Sequence, residues 1–168
     1  MAARRLACCL IGLVLMLPAL AAPQPVQPFR AESLAQIQAA QGRAPFVLVL
    51  WSLDCPPCFH ELELLGRLHR ADPALQLVLV ATDSYAEPGV RSAIRGALER
   101  FGLDGVEAWA FAGDSQRLRY AIDPHWYGEL PRSYFYGPGQ PRDAVSGLLD
   151  EARVRAFMAR FQPRVGSD

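Results

Sequence analysis

Apolar residues along the chain occur in two patterns, continuous runs and helical repeats. The run Phe46–Trp51 has the length of a strand and no polar position, which is typical of a strand covered by helices on both faces. Similar runs predict strands over 75–81 and 106–111. Between them, the spacing of apolar residues predicts amphipathic helices over 57–70 and 88–101. Strands and helices therefore alternate through the middle of the chain.

The flanking segments add shorter helices and a hairpin. Ser33 is expected to cap the first helix and Asp150 the last one, whose apolar face includes Phe157. A Gly-Pro-Gly-Gln-Pro turn joins two short strands. We predict an α/β fold with a central mixed β-sheet, parallel in one half, antiparallel at the hairpin and flanked by helices on both faces. The additional segments are the helices 33–41 and 114–122, the loop 123–131 and the strands 133–136 and 144–146.

The N-terminus has the features of a secretory signal peptide. Arg4 and Arg5 precede an apolar run that ends in small residues, and the run is shorter than the roughly 20 residues of a spanning helix. An uncleaved N-terminal membrane anchor is the weaker alternative. A periplasmic or secreted protein is expected. The predicted organisation is a signal peptide over 1–22, an extended N-terminal arm over 23–32, one domain over 33–162 and a flexible tail over 163–168.

Composition limits the class of protein. The chain has 168 residues, 51% of them hydrophobic, and 17 basic side chains balance 17 acidic ones. This length can bury a core without help from a metal or several disulfides. The balanced charge provides no long-range attraction to nucleic acid or to an anionic membrane, so no nucleic-acid partner is expected.

The cysteines point to redox chemistry. Cys8 and Cys9 leave with the leader, so the exported chain keeps only Cys55 and Cys58. They follow a buried strand and open a helix, whose N-terminal N–H groups and dipole favour a thiolate on Cys55. We expect Cys55 to be the nucleophile and Cys58 the resolving cysteine. The prolines between them, Pro56 and Pro57, restrict the loop but remove N–H donors, which limits the lowering of the Cys55 pKa.

Two other interpretations of the pair stay open. A zinc site needs about four ligands, and only histidines could add to the two cysteines. A permanent structural disulfide over so short a loop would stabilise little. The sequence therefore predicts no metal site and favours a redox pair. The histidines are His60, His69 and His125.

These residues resemble the thioredoxin superfamily, and more narrowly the TlpA/ResA-like extracytoplasmic thiol-disulfide oxidoreductases. Trp51 stands four residues before Cys55, as the first tryptophan of the family's W-x-x-W-C-x-x-C stretch does. Leu130-Pro131 looks like the cis-proline loop, and Gly147 like the glycine after the final strand. The resemblance covers nearly all of the exported chain. It implies a thioredoxin-like fold with a TlpA-type βα insertion before the cis-proline loop, within 88–122.

The resemblance also implies an activity and its partners. It indicates reduction of protein disulfides, as in cytochrome c maturation or extracytoplasmic thiol homeostasis, without a cofactor. The partners would be protein disulfide or dithiol substrates and a membrane or extracytoplasmic thiol donor. Contacts would be transient, with the protein a monomer or weak oligomer. A non-catalytic binding or metal-handling module of the same fold is the alternative, and a peroxide-reducing variant is a third possibility.

The resemblance assigns roles to further residues. Glu61, three residues after Cys58, matches the acid that TlpA/ResA-like proteins place near the cysteines, whereas from spacing alone it could be a solvated helix residue. Val49 stands where thioredoxin has its buried aspartate, so proton transfer falls to Glu61. Asp54 replaces the family's usual tryptophan, and its charge is expected to raise the Cys55 pKa.

A substrate groove is expected around the cysteines. The backbone of Leu130 would pair with an extended partner segment, with Pro131 shaping the groove. Trp126 and Tyr127 are predicted to form an aromatic patch for an apolar partner segment. The predicted substrate-binding residues are Trp51, Pro56, Pro57, Leu130, Pro131 and Trp126.

Overall fold

A computed structural model of the chain describes residues 24–161. The predicted signal peptide and the predicted tail lie outside the described residues. No helix within 24–161 has the length and apolar character needed to cross a membrane. The elements in chain order are β1 (Gln27–Phe29), α1 (Ser33–Gln41), β2 (Phe46–Trp51), α2 (Pro56–Ala71), β3 (Gln76–Ser84), α3 (Val90–Arg100), β4 (Glu107–Phe111), α4 (Ser115–Ile122), β5 (Arg132–Tyr136), β6 (Asp143–Ser146) and α5 (Glu151–Ala159).

The strands form one mixed sheet in the order β1-β4-β3-β2-β5-β6. Strands β1, β4, β3 and β2 are mutually parallel, whereas β5 runs antiparallel to β2 and to β6. The predicted mixed sheet and its terminal hairpin are therefore confirmed. The segment predicted as an insertion supplies α3, β4 and α4, which lie between β3 and the loop before β5.

Strand side chains alternate between two buried faces of the sheet. Helices cover both faces, as predicted, and β2 is buried at every position. One face, here called the cysteine face, packs against α2, α3 and α5 and contains Val47, Val49, Phe135, Cys55 and Cys58. The other, here called the far face, packs against α1 and α4 and contains Leu48, Leu50, Tyr134, Ile37 and Leu118.

The strand β1 was not predicted from the sequence. The segment is extended, as expected of an arm, but it pairs in parallel with β4 at the edge of the sheet. Phe29 is buried there and stacks on Phe111, with 5.7 Å between the ring centroids. Pro28 is compatible with this position because an edge strand can lack one N–H donor. The arm is thus part of the sheet.

The helix ends follow the predicted signals with one exception. Asp150 accepts a hydrogen bond from the N–H of Ala152 (2.9 Å), as an N-cap residue does. Gly42 ends α1 with a φ of 60°, a conformation that favours glycine. Ser33, however, does not cap α1, because Glu32 occupies the N-cap position and the Ser33 hydroxyl accepts from the N–H of Arg30 (2.9 Å).

Candidate active site

The two cysteines lie where β2 passes into α2. Cys55 is the N-cap residue of α2 and forms a disulfide with Cys58. The N–H of Cys58 donates to Cys55 Sγ (3.3 Å) and to the Cys55 carbonyl oxygen (3.0 Å). Because the first N–H groups of a helix lack intrahelical acceptors, this end of α2 presents a positive potential to the Cys55 sulfur.

The two cysteines differ in accessibility. Cys55 is 9% exposed, whereas Cys58 is fully buried on the cysteine face. Pro56 and Pro57 are exposed and occupy the first two positions of α2, where a missing N–H breaks no intrahelical bond. A sulfur atom of a partner molecule can therefore reach Cys55 but not Cys58.

A carboxylate on the neighbouring strand holds the loop before Cys55. Because β2 and β3 are parallel, their carboxyl ends meet at the same edge of the sheet. Asp83 accepts there from the N–H of Leu53 (3.1 Å) and from the hydroxyl of Ser52 (3.2 Å). The hydroxyl oxygen of Ser52 in turn accepts a hydrogen bond from the N–H of Asp54 (3.2 Å), and the carbonyl oxygen of Ser52 accepts one from the N–H of Cys55 (3.2 Å). The approach to Cys55 is therefore fixed by hydrogen bonds.

A buried carboxyl group lies beyond the cysteines on α2. Glu61 is 1% exposed and follows Cys58 by three residues, so the two side chains share one side of the helix. The hydroxyl of Ser133 donates to Glu61 Oε1 (2.7 Å), and the N–H of Leu149 donates to Oε2 (3.0 Å). Burial raises the pKa of Glu61, and these two hydrogen bonds only partly oppose the increase. Glu61 is therefore not a solvated helix residue.

The register of β2 and β5 places an apolar residue opposite the hydrogen-bond donor of Glu61. Val49 lies directly opposite Ser133 in this antiparallel pair, and both are fully buried. The apolar Val49 offers no carboxyl group, while Ser133 binds Glu61 from the neighbouring strand. The buried acid of this face thus comes from α2 and not from β2.

The loop before β5 carries a cis peptide bond between Leu130 and Pro131, in agreement with the predicted cis-proline loop. The carbonyl oxygen of Pro131 accepts from the N–H of Gly147 (2.9 Å). Gly147 has a φ of 82°, which favours glycine at this position. Leu130 is half-buried and packs at the border of both core clusters, one of which contains Cys55. The loop therefore adjoins the apolar surroundings of the cysteines.

A second buried carboxylate lies at the start of that loop, on the far face. Asp123 Oδ2 accepts from the hydroxyl of Tyr134 (3.0 Å) and from Nη2 of Arg132 (3.2 Å). Its Oδ1 accepts from the N–H of His125 (3.1 Å) and lies 3.2 Å from Nη2 of Arg142. Burial by itself would raise the pKa of Asp123, but these hydrogen bonds and the two arginine charges outweigh it and lower the pKa.

Known structures share this fold, although no family model and no curated protein matches the chain. A secreted Mycobacterium tuberculosis disulfide oxidoreductase homologous to E. coli DsbE aligns over 73% of this chain and 86% of its own, with a TM-score of 0.55 and 19% identity. A thioredoxin-family thiol:disulfide interchange protein from Chlorobium tepidum covers 84% and 98%, with a TM-score of 0.56 and 15% identity. StoA from Bacillus subtilis covers 69% and 83%, with a TM-score of 0.52 and 18% identity.

The chain has a thioredoxin-like fold. The likeness extends over most of each solved structure, so the predicted fold class is confirmed. Within this thioredoxin-like fold, the cysteine pair, Glu61 and the cis-proline loop all border the cysteine face.

Two residues predicted to bind substrate lie in the core of the thioredoxin-like fold instead. Trp51 is buried because β2 is covered on both faces, and its ring packs edge-on against Phe59 at 6.5 Å. Trp126 is buried among far-face residues, and its indole N–H donates to the carbonyl oxygen of Glu129 (2.9 Å). Trp51 is therefore packed inside the core, whereas Trp126 is 5% exposed and lines a surface cavity together with Tyr127, which is 91% exposed. A role of these two loop aromatics in binding a partner segment stays a prediction.

The three histidines considered as possible metal ligands do not lie in a metal-binding cluster of the described residues. Within residues 24–161, no three His, Cys, Asp or Glu side chains lie close enough together to hold a metal ion. His60 is exposed on α2, and the side chain of His125 is exposed. His69 Nδ1 lies 3.1 Å from the carbonyl oxygen of Leu75, away from the cysteines.

Four residues of the site were missed by the sequence analysis. Ser133 and Asp123 are polar residues within or beside apolar segments, and a buried polar group needs a partner. Asp83 lies near the end of β3, next to the strand that leads to Cys55. These signals mark the residues as candidates, but their partners lie far away in the sequence. Leu149 binds Glu61 through its backbone N–H, so its residue type does not indicate this role.

Proposed function

We propose that this protein is an extracytoplasmic thiol-disulfide oxidoreductase that acts on protein disulfides through Cys55 and Cys58. The observation that carries the proposal is the asymmetry of the pair. Cys55 is partly exposed at the N-terminus of α2, and Cys58 is fully buried one turn further along. A nucleophile needs access and a stabilised thiolate, whereas a resolving cysteine needs only contact with the nucleophile.

The reaction proceeds by two thiol-disulfide exchanges. In the reduced protein, the Cys55 thiolate attacks one sulfur of a partner disulfide, and the partner's other sulfur leaves as a thiolate. Cys58 then loses its proton and attacks Cys55 Sγ, which releases the partner's second thiol and forms the Cys55–Cys58 disulfide. Two electrons pass from the protein dithiol to the partner disulfide.

Glu61 accepts the proton of Cys58 in this proposal. Its carboxyl group shares the helix side of Cys58 and, among residues 24–161, has two neutral hydrogen-bond donors and no arginine partner. Burial raises the pKa of Glu61, so its proton is held more firmly than in water and can be exchanged nearer to neutral pH. An acid with these properties suits proton exchange with a buried thiol.

The partner segment binds beside the cis-proline loop. The Leu130–Pro131 loop presents the backbone of Leu130 to an extended partner, and the exposed Pro56 and Pro57 border Cys55. Trp51 and Trp126 support this surface from beneath. Asp54 is exposed next to Cys55, and its negative charge opposes the helix dipole there.

The proposed direction is reduction, with electrons supplied by a membrane or extracytoplasmic thiol donor, as in cytochrome c maturation. The organisation of the chain supports export: an apolar leader over 1–22 precedes a domain whose two cysteines are joined as a disulfide. The proposed domain extends over 33–162 together with β1 of the preceding arm.

Trapping of the reaction intermediate tests the proposal. With 5,5′-dithiobis(2-nitrobenzoate) as the disulfide, Cys58→Ser should accumulate a stable mixed disulfide on Cys55, and the wild type should pass through it to the internal disulfide. Cys55→Ser is the matched control and should react at least about a hundredfold more slowly, because Cys58 is buried. Equal reactivity of the two single variants, or an inert reduced wild type, would contradict the proposal.

A further inference from the structure

The segment 123–131 connects α4 to β5 without regular secondary structure and ends in the Leu130–Pro131 cis bond. Loops of this kind are usually the most mobile parts of a domain. A surface that receives a partner segment must nevertheless be held in place. The contacts that hold this segment are therefore of functional interest.

The first residue of the segment is tied to β5 by charge. Asp123 is 4% exposed, and its Oδ2 lies 3.2 Å from Nη2 of Arg132, the residue directly after Pro131. The Arg132 side chain is itself 14% exposed. An ion pair with so little solvent is screened weakly by salt and is strongly directional.

The last part of the segment is tied to the same guanidinium group. Nη1 of Arg132 lies 3.2 Å from Glu129 Oε1 and also donates to the hydroxyl of Ser146. The Ser146 hydroxyl donates to the same Glu129 oxygen (2.6 Å). One arginine thus joins the start of the segment, its end and the edge strand β6.

The interior of the segment is filled by an aromatic ring. Trp126 is buried, and its indole N–H donates to the carbonyl oxygen of Glu129. The Arg132 guanidinium also lies 5.0 Å from the centre of the Tyr134 ring. Charge, hydrogen bonds and packing therefore fix the segment from both of its ends.

We propose that Arg132 is a positioning residue that clamps the segment 123–131, through Asp123 and Glu129, so that the backbone of Leu130 is held ready for an extended partner polypeptide. This inference rests on the proposed function. An aromatic disulfide such as 5,5′-dithiobis(2-nitrobenzoate) has no peptide backbone that could pair with Leu130. The clamp therefore acts on the recognition of polypeptide disulfides and not on the exchange chemistry at Cys55.

The test compares two disulfide probes, insulin and 5,5′-dithiobis(2-nitrobenzoate), for the wild type, Arg132→Gln and Glu129→Gln. Loss of the clamp should lower kcat/KM for insulin about tenfold in Arg132→Gln, mainly through KM, while the rate with 5,5′-dithiobis(2-nitrobenzoate) changes less than about twofold. Glu129→Gln should show the same selectivity with a smaller loss, because the Glu129 side chain is 42% exposed. The reduction potential of the cysteine pair should not change.

The controls separate positioning from folding. Arg155 forms an exposed ion pair with Glu151 on α5, so Arg155→Gln is a matched arginine variant that should leave both rates unchanged. Arg132→Lys should recover part of the insulin rate, since it keeps the charge but not the forked geometry. If Arg132→Gln fails to fold, Glu129→Gln provides the same comparison.

Two results would overturn the assignment of Arg132 while leaving the proposed function intact. These are unchanged insulin kinetics in a folded variant, and equal losses with both probes. A wild type that reduces neither probe would overturn the proposed function and the clamp together.

Discussion

Two buried carboxyl groups lie on opposite faces of the same strand, β5, and their surroundings differ. On the cysteine face, Glu61 receives hydrogen bonds from Ser133 and Leu149, which are both neutral donors. On the far face, Asp123 is bound by Arg132 and Arg142. Burial dominates at Glu61 and raises its pKa, whereas the hydrogen bonds and charges at Asp123 outweigh burial and lower its pKa.

The alternation of β5 produces this difference. Ser133 points to the cysteine face and Tyr134 to the far face, so successive residues supply donors to two separate acids. A buried acid with only neutral donors keeps its proton to a higher pH than an exposed acid does. An acid held by two arginines stays charged and serves as a fixed anchor. We therefore assign proton exchange to Glu61 and loop anchoring to Asp123.

The largest expected effect is on stability. Asp123→Asn should lower the free energy of unfolding by about 3 kcal/mol, because it leaves two arginines without their buried counter-charge and turns an amide N–H group towards them. Glu61→Gln should change it by less than about 1 kcal/mol, because an amide can accept from the N–H of Leu149 and donate to the Ser133 oxygen. Urea unfolding at neutral pH measures the free energy of unfolding of both variants. Equal losses of stability would contradict the different roles assigned to the two acids.

The second effect is kinetic. Glu61→Gln should slow the resolving step, the attack of Cys58 on a mixed disulfide at Cys55, by about tenfold, because the amide cannot take the Cys58 proton. Stopped-flow release of the thionitrobenzoate chromophore reports this step. Glu63→Gln is the control: it removes a charge from the same helix, but the Glu63 side chain is 59% exposed. A similar rate loss in both variants would argue for a general charge effect.

The fold was largely predictable because its elements depend on local patterns. The run Phe46–Trp51 and the two cysteines at the start of a helix define the centre of the site from the sequence alone. The strand β1 has too few residues for a periodic pattern and forms only by pairing with β4. Trp126 was predicted to be exposed because it lies in a loop, but loops can bury one aromatic ring to fill their interior.

The partners of the two acids were beyond prediction for a similar reason. Glu61 could be found from its spacing to Cys58, since both lie on one helix. Its donor Ser133 and the backbone of Leu149 come from distant segments that the sheet topology brings together. The register between strands β2 and β5 decides which residues lie opposite each other, and it depends on pairing between segments far apart in the chain.

The third effect is the pH dependence of stability. The pKa of Glu61 is raised above 4.5 in the folded state, so its contribution to stability is present below pH 4.5 and lost as the pH rises through the folded value. The pKa of Asp123 is lowered below 3.8, so its contribution is present above pH 3.8 and lost as the pH falls. Unfolding followed across pH should show Glu61→Gln flattening the pH dependence above pH 4.5 and Asp123→Asn flattening it below pH 3.8. The reverse assignment would contradict the account.

The smallest effect concerns an exposed carboxylate. Asp54 lies next to Cys55 but is exposed, so water and salt screen its charge. Asp54→Asn should lower the Cys55 pKa slightly and raise the alkylation rate at neutral pH by less than about threefold. Alkylation with iodoacetamide at low and high salt measures this. If Asp54→Asn changed the alkylation rate of Cys55 more than Glu61→Gln does, the exposed Asp54 and not the buried Glu61 would control the reactivity of the cysteines.

The most direct test is the reduction potential of the Cys55–Cys58 pair as a function of pH, measured in glutathione or dithiothreitol buffers for the wild type, Glu61→Gln and Asp123→Asn. The account predicts a reversible two-electron couple near about −270 mV, as suits a reductase. Its pH dependence should bend above pH 4.5, where Glu61 and the cysteines compete for a proton, and the bend should vanish in Glu61→Gln but persist in Asp123→Asn. A couple near about −120 mV would reverse the proposed direction. The absence of a reversible couple, or an unchanged bend in Glu61→Gln, would contradict the central claim.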